Sequence, residues 1–135
     1  MREIKFRKWN GKQMLQVQRL TWSTLDDDLF AFEEGSDKLD CSSHLMQYTG
    51  LEDKNGVEIY EGDIVRLKFR DNDPDTYTFE SGVIRWHEDS AAFKWFSLTE
   101  DPSDGNNYWL THAEVDWRDV IGNIYENADL LEAKQ

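Results

Sequence analysis

A chain of 135 residues with 39% hydrophobic content and a mean hydropathy of −0.78 is most simply one domain. At that length it buries roughly two-thirds of its unfolded surface. A net charge of −13 and a pI near 4.5 set it against phosphate backbones, which reward lysine and arginine, so direct nucleic-acid binding is not expected. No apolar run approaches the ~20 residues that span a bilayer, no leader pattern opens the chain, and Cys41 alone cannot form an internal disulfide. A cytoplasmic protein without a membrane partner is expected.

The charge is unevenly spread. Residues 1–19 carry Arg2, Lys5, Arg7, Lys8, Lys12 and Arg19 against Glu3, about +5, which leaves about −18 for the remainder. The plain reading is a solvated basic hairpin whose lysines discourage edge pairing. The sharper one is a basic strip that docks on acidic surface, within the chain or on another copy.

Taken in chain order, EIKFRKW and KQMLQVQRL flank Asn10-Gly11, a pair suited to a two-residue type I′ turn. That turn would set Phe6 against Leu15, Ile4 against Val17 and Lys5 against Gln16, apolar on one face and polar on the other. Residues 21–40 are ambiguous. Thr24 and Asp27 resemble a capping box, but the alternation of Phe30 and Phe32 suits a strand hairpin or an irregular segment.

LMQYTGLEDKNGVEIYEGDIVRL crowds turn residues into 45–67. A two-residue turn at Asn55-Gly56 would oppose Asp53 and Glu58, so a long regular hairpin is not expected there, and a compact connecting turn is. DIVRLKFR then alternates Val65, Leu67 and Phe69 with Arg66, Lys68 and Arg70, a half-buried strand. DNDPD at 71–75 is a turn. YTFESGVIRW at 77–86 is a strand in which Gly82 marks a bulge or a close approach. HEDS turns the chain into AAFKWFSL, and DPSDGNN is a loop. YWL at 108–110 and DVIGNIYE at 119–126 are short strands, and Asn127 is placed to cap a terminal helical turn. Short strands between Gly, Asp and Pro turns predict a mainly β chain built as a small barrel or a pair of sheets.

IKFRKW, LMQYTGLEDKNGVEIYEGDIV and VIGNIYENADLLE, in that order, resemble the YopX family of small phage- and prophage-encoded proteins of low-GC Gram-positive bacteria. The resemblance covers nearly the whole chain, least of all 21–44 and 71–110. It implies an N-terminal β-hairpin region over 1–60, a small SH3-like β-barrel over 61–135 with a short C-terminal helix, and a place in the host cytoplasm. It implies assembly of several copies, and brings no activity, cofactor or catalytic residue with it.

Four groups of residues invite a chemical reading. Asp71, Asp73 and Asp75 alternate like the first ligands of a calcium loop, but Thr76 and Gly82 stand where that loop needs Gly and a bidentate Glu. Cys41 and His44 are half of a zinc site, with only His87 and His112 to complete it, and nothing near Cys41 activates a thiolate. His87, Glu88, Asp116 and Asp119 are the set a metal-dependent hydrolase would use. Trp86, Phe93, Trp95, Phe96, Tyr108, Trp109 and Trp117 are first of all core fillers. A stacking platform would need a positive groove, and 87–126 is acidic.

No catalytic, cofactor-binding or metal residue is assigned. The protein-contact candidates are Trp86, Trp95, Trp109 and Trp117, with Lys5 and Arg7 of the basic strip. The favoured function is a non-enzymatic accessory protein, without cofactor, that self-assembles or binds a host or phage protein. Its expected mechanism is an aromatic patch framed by acids meeting a basic partner, an acidic decoy of a nucleic-acid-binding protein being one version. The rival is the metal-dependent enzyme.

Overall fold

The computed structural model describes residues 3–22, 29–33, 44–70, 75–98, 107–109 and 118–132. It is mainly β, with two antiparallel sheets and one short helix. The strands are β1 (Phe6–Trp9), β2 (Met14–Trp22), β3 (Leu29–Glu33), β4 (Leu45–Glu52), β5 (Glu58–Tyr60), β6 (Asp63–Arg70), β7 (Tyr77–His87), β8 (Ala92–Ser97), β9 (Asn107–Trp109) and β10 (Asp119–Asn123), followed by α1 (Ala128–Glu132). One sheet has the order β3-β2-β1-β4-β5 and the other β10-β6-β7-β8-β9. The chain divides into two compact units, Met1–Tyr48 and Thr49–Gln135. The boundary lies inside β4 rather than after Tyr60, because residues 53 and 54 hydrogen-bond to residues 118 and 120.

In the first unit the β1–β2 hairpin forms, but in another register. Arg7 pairs with Gln16, Lys8 with Leu15 and Trp9 with Met14. Asn10 explains the shift. Its Oδ1 accepts the N–H groups of Lys12 at 2.8 Å and Gln13 at 2.9 Å, which wraps four residues into the loop instead of two. Gly11, at φ 98°, supplies the left-handed step. A shift of two residues leaves every side chain on its expected face. The basic hairpin is solvated only in part: Arg7 and Lys8 are buried, whereas Lys12 and Arg19 are exposed, as is Ile4. On either side of residues 23–28, which with Thr24 and Asp27 lie outside the described residues, β2 pairs antiparallel with β3 from Trp22↔Leu29 to Val17↔Glu33, with a register shift between Val17 and Arg19.

In the second unit the connector at 53–57 closes a hairpin after all, since β4 and β5 are neighbours. The Asp53 N–H donates to the Val57 carbonyl at 2.8 Å, so three residues rather than two form the loop and Asp53 does not oppose Glu58. Gly56, at φ 81°, takes the residue position that this loop requires to be left-handed.

β6 shows the expected alternation, with Leu67 buried and Arg66 exposed, but opens with Ile64 and Val65 both fully buried. Ile59, Val65, Leu67, Ile84 and Trp95 form the core, and Leu51, Phe69, Phe93 and Val120 pack against it. Burial of each such side chain contributes about 2 kcal/mol. Gly82 is a point of close approach and not a bulge: its ladder is regular, Val65↔Gly82 and Gly82↔Ser97. A Cβ there would overlap the Trp95 indole and the Phe96 carbonyl. The Trp95 Nε1–H donates to the Val65 carbonyl at 2.8 Å, spanning β7 through the gap that Gly82 leaves.

Among the described residues this sheet is not closed into a barrel. The order β10-β6-β7-β8-β9 leaves β10 and β9 as its two edges. Asn127 directly precedes α1 as expected, but its Oδ1 accepts the Asn123 N–H at 3.1 Å, back toward β10 and away from the helix. Asn123 Oδ1 in turn accepts the N–H groups of Tyr125 and Glu126, so paired asparagines tie strand to helix.

Candidate functional site

The strand ladder β6–β7 fixes which side chains share a face. Arg66 lies opposite Ser81, Lys68 opposite Phe79 and Arg70 opposite Tyr77. Leu67 and Val65 point to the core, so Arg66 and Lys68 occupy the outer face beside Tyr77 and Phe79. Both cations lean diagonally toward the same strand end. The Arg66 Cζ sits 5.2 Å from the Phe79 ring centroid, and the Lys68 Nζ sits 3.7 Å from that of Tyr77. Tyr77 is 38% exposed and Phe79 48%. The result is a row of cations on one strand and a parallel row of rings on the next.

Asp119 closes one side of this strip. Its Oδ2 lies 3.3 Å from Arg66 Nη2 and 3.9 Å from Lys54 Nζ. One carboxylate therefore serves Lys54 and Arg66, while Lys68 lies two residues further along β6 over the Tyr77 ring. An exposed ion pair of this kind contributes little to stability.

The residues singled out from sequence separate. Trp95 is 0% exposed and belongs to the core, which removes it from the contact surface. Trp86 is 46% exposed, stacked edge-on against Phe93 with centroids 5.1 Å apart. It faces away from the strip, since it shares the parity of Ile84 on β7. Trp109 is placed only by its backbone pairing with Lys94, and Trp117 lies outside the described residues. In the first unit Lys5 sits 5.5 Å from the Tyr48 ring centroid and 3.2 Å from Glu3, while Arg7 is buried.

The hydrolase set does not converge. His87 ends β7 and its Nδ1 is 2.8 Å from Ser90 Oγ, whereas Asp119 pairs with Arg66, which pairs with Ser81. The six residues of strand from 81 to 87 alone span about 20 Å. Glu88 is exposed in the turn beyond, and Asp116 lies outside the described residues. So do Cys41, His112, Asp71 and Asp73; His44 is described and exposed. Among the described residues no three His, Cys, Asp or Glu side chains are grouped to hold a metal ion, and no helix is long and apolar enough to cross a membrane.

The aromatic–cationic strip was missed from sequence because charge was summed along the chain. Its signal is the alternation of Arg66 and Lys68 against Tyr77 and Phe79, which reads as two rows only once the register across 71–76 is known.

By class this is a small, mainly β protein of two antiparallel sheets with one short helix. It belongs to the YopX family: its sequence matches the family described as YopX protein over residues 5–132. The chain is similar to the crystal structure of protein EF1440 from Enterococcus faecalis, with 27% identity and a TM-score of 0.58, the match covering 97% of this chain and 99% of that one. A comparison with curated proteins gave no match.

Proposed function

We propose that this protein is a non-enzymatic accessory protein of a phage or prophage, acting in the host cytoplasm by holding an anionic partner against the outer face of β6–β7. Family membership supports the accessory role and the phage origin. The observation that carries the binding surface is the doubled cation–ring pair, Arg66 on Phe79 and Lys68 on Tyr77, left exposed on a regular ladder. Cross-strand cation–ring contacts stabilise a sheet face modestly, but aromatic and arginine side chains also dominate contact surfaces, and two such rings stand exposed here side by side. The sign of the strip replaces the basic partner expected from whole-chain charge by an acidic one. Support for an SH3-like relation of the second unit comes from its strand order, a meander whose last strand returns beside its first.

The test is affinity purification from host cells with the natural chain and with Arg66→Glu/Lys68→Glu. A partner held by the strip is recovered with the first and lost with the second. Equal recovery from both would overturn the proposal. Sedimentation of the two proteins at low and high salt identifies a second copy as that partner if the natural chain alone self-associates.

A further inference from the structure

We infer that the β6–β7 strip binds single-stranded nucleic acid, with two consecutive nucleotides seated on Tyr77 and Phe79; this rests on the preceding reading of the strip as the working surface. Each cation–ring pair presents two unlike halves, a positive group and the π-face that it covers. A ligand that displaces the cation from the ring must satisfy both halves at once. A nucleotide does so, because its phosphate takes the ammonium or guanidinium while its base stacks on the ring. An acidic peptide supplies a carboxylate for the cation and leaves the ring face without a planar partner.

The repeat carries the argument further. Tyr77 and Phe79 are two residues apart on one face of β7, about 7 Å, and Arg66 and Lys68 keep the same interval on β6. Two rings and two cations in parallel rows match a strand whose bases lie along one line and whose phosphates lie along the other. In a duplex the base faces are covered by their neighbours, so the site selects unpaired strands.

The chain's net charge does not decide the matter at contact. Charges more than about 8 Å away are largely screened at physiological salt, and at the edge of the strip Asp119 is shared between Lys54 and Arg66. The acidic remainder lowers the encounter rate.

Fluorescence anisotropy of a short fluorescein-labelled oligothymidylate, titrated with the whole chain at low salt, tests the site. Binding is expected to weaken with salt with a log–log slope of about −1.4, for two cations on a single strand. Phe79→Ala and Tyr77→Ala each weaken it about fivefold or more, Arg66→Gln/Lys68→Gln flattens the slope, and Trp86→Ala changes nothing. Thermal melts of each variant separate a lost site from a lost fold. Polyglutamate that displaces the oligonucleotide as effectively as unlabelled oligothymidylate, or a self-annealed duplex that binds as well as the single strand, overturns the inference. So does absence of binding at low salt. If the oligonucleotide fails while the Arg66→Glu/Lys68→Glu chain loses a protein partner from cells, this inference falls and the preceding reading stands.

Discussion

The carboxylate of Asp53 accepts the backbone N–H of Val120 at 3.0 Å, across 67 residues of chain. Its other oxygen accepts the N–H groups of Asn55 and Val57 at 2.8 and 2.9 Å, so one buried side chain folds its own turn and seats β10. Arg118, next to that strand, donates from Nη2 to the Glu52 carbonyl at 3.1 Å, and its own carbonyl accepts the Lys54 N–H at 2.8 Å. Burial draws the Arg118 guanidinium below its ordinary pKa, and the Asp53 charge works the other way. The Gly-rich connector is thus a clamp and not a ligand loop.

Acid should release this clamp. Burial pushes the Asp53 carboxyl up, but the N–H groups of Val120, Val57 and Asn55, together with Lys54, outweigh it and hold the group below its ordinary value of 3.8. A lowered folded pKa stabilises the fold fully above the unfolded value and ceases to do so as pH falls through the folded one. Acid titration followed by tryptophan fluorescence should show this loss below about pH 4, and Asp53→Asn should remove that group's share of the pH dependence. Asp53→Ala should cost about 2 kcal/mol in urea denaturation at neutral pH, as the Val120 N–H loses its acceptor.

Gly82→Ala should destabilise the second unit strongly. The added methyl meets the Trp95 indole and the Phe96 carbonyl, and neither a core tryptophan nor a ladder carbonyl can retreat cheaply. A loss of about 3 kcal/mol is expected by denaturant unfolding. Gly11→Ala separates space from backbone, since nothing lies within 4 Å there but φ is 98°. Its cost should be near 1 kcal/mol.

Trp95→Phe should cost about 3 kcal/mol, from the smaller ring's void and from the Val65 carbonyl that loses the indole N–H. Restoring volume elsewhere in the core would recover the first part and not the second.

Asn10→Ala should unravel the first hairpin's loop. The Lys12 and Gln13 amides then lose their acceptor and should exchange faster with deuterium, with a cost of about 1 kcal/mol. Asn10→Asp keeps the acceptor and should protect both amides.

Much of this architecture could be read from residue patterns. Alternation located β6, the turns on either side located β7, and Gly82 signalled a bulge or a close approach, of which the second is found. What escaped was set by single side chains reaching over turns. Asn10 lengthened one loop and thereby moved the register of β1 and β2, and Asp53 turned inward to allow a hairpin that charge repulsion seemed to forbid. Arg7 and Lys8 were read as solvated because composition carries no information on which face a sheet covers. The strip on β6–β7 escaped for the opposite reason. Its residues were each placed on the right strand, but their adjacency exists only across the pairing of the two.

The return of β10 to the side of β6 has a consequence for synthesis on the ribosome. The β1–β2 hairpin can zip as soon as it emerges, whereas β6 waits for one of its neighbours until residues 119–123 have been made. During that interval the flank of β6 that β10 will cover offers open amide and carbonyl groups to any passing strand, so a translational pause before Asp119 prolongs the nascent chain's exposure to aggregation.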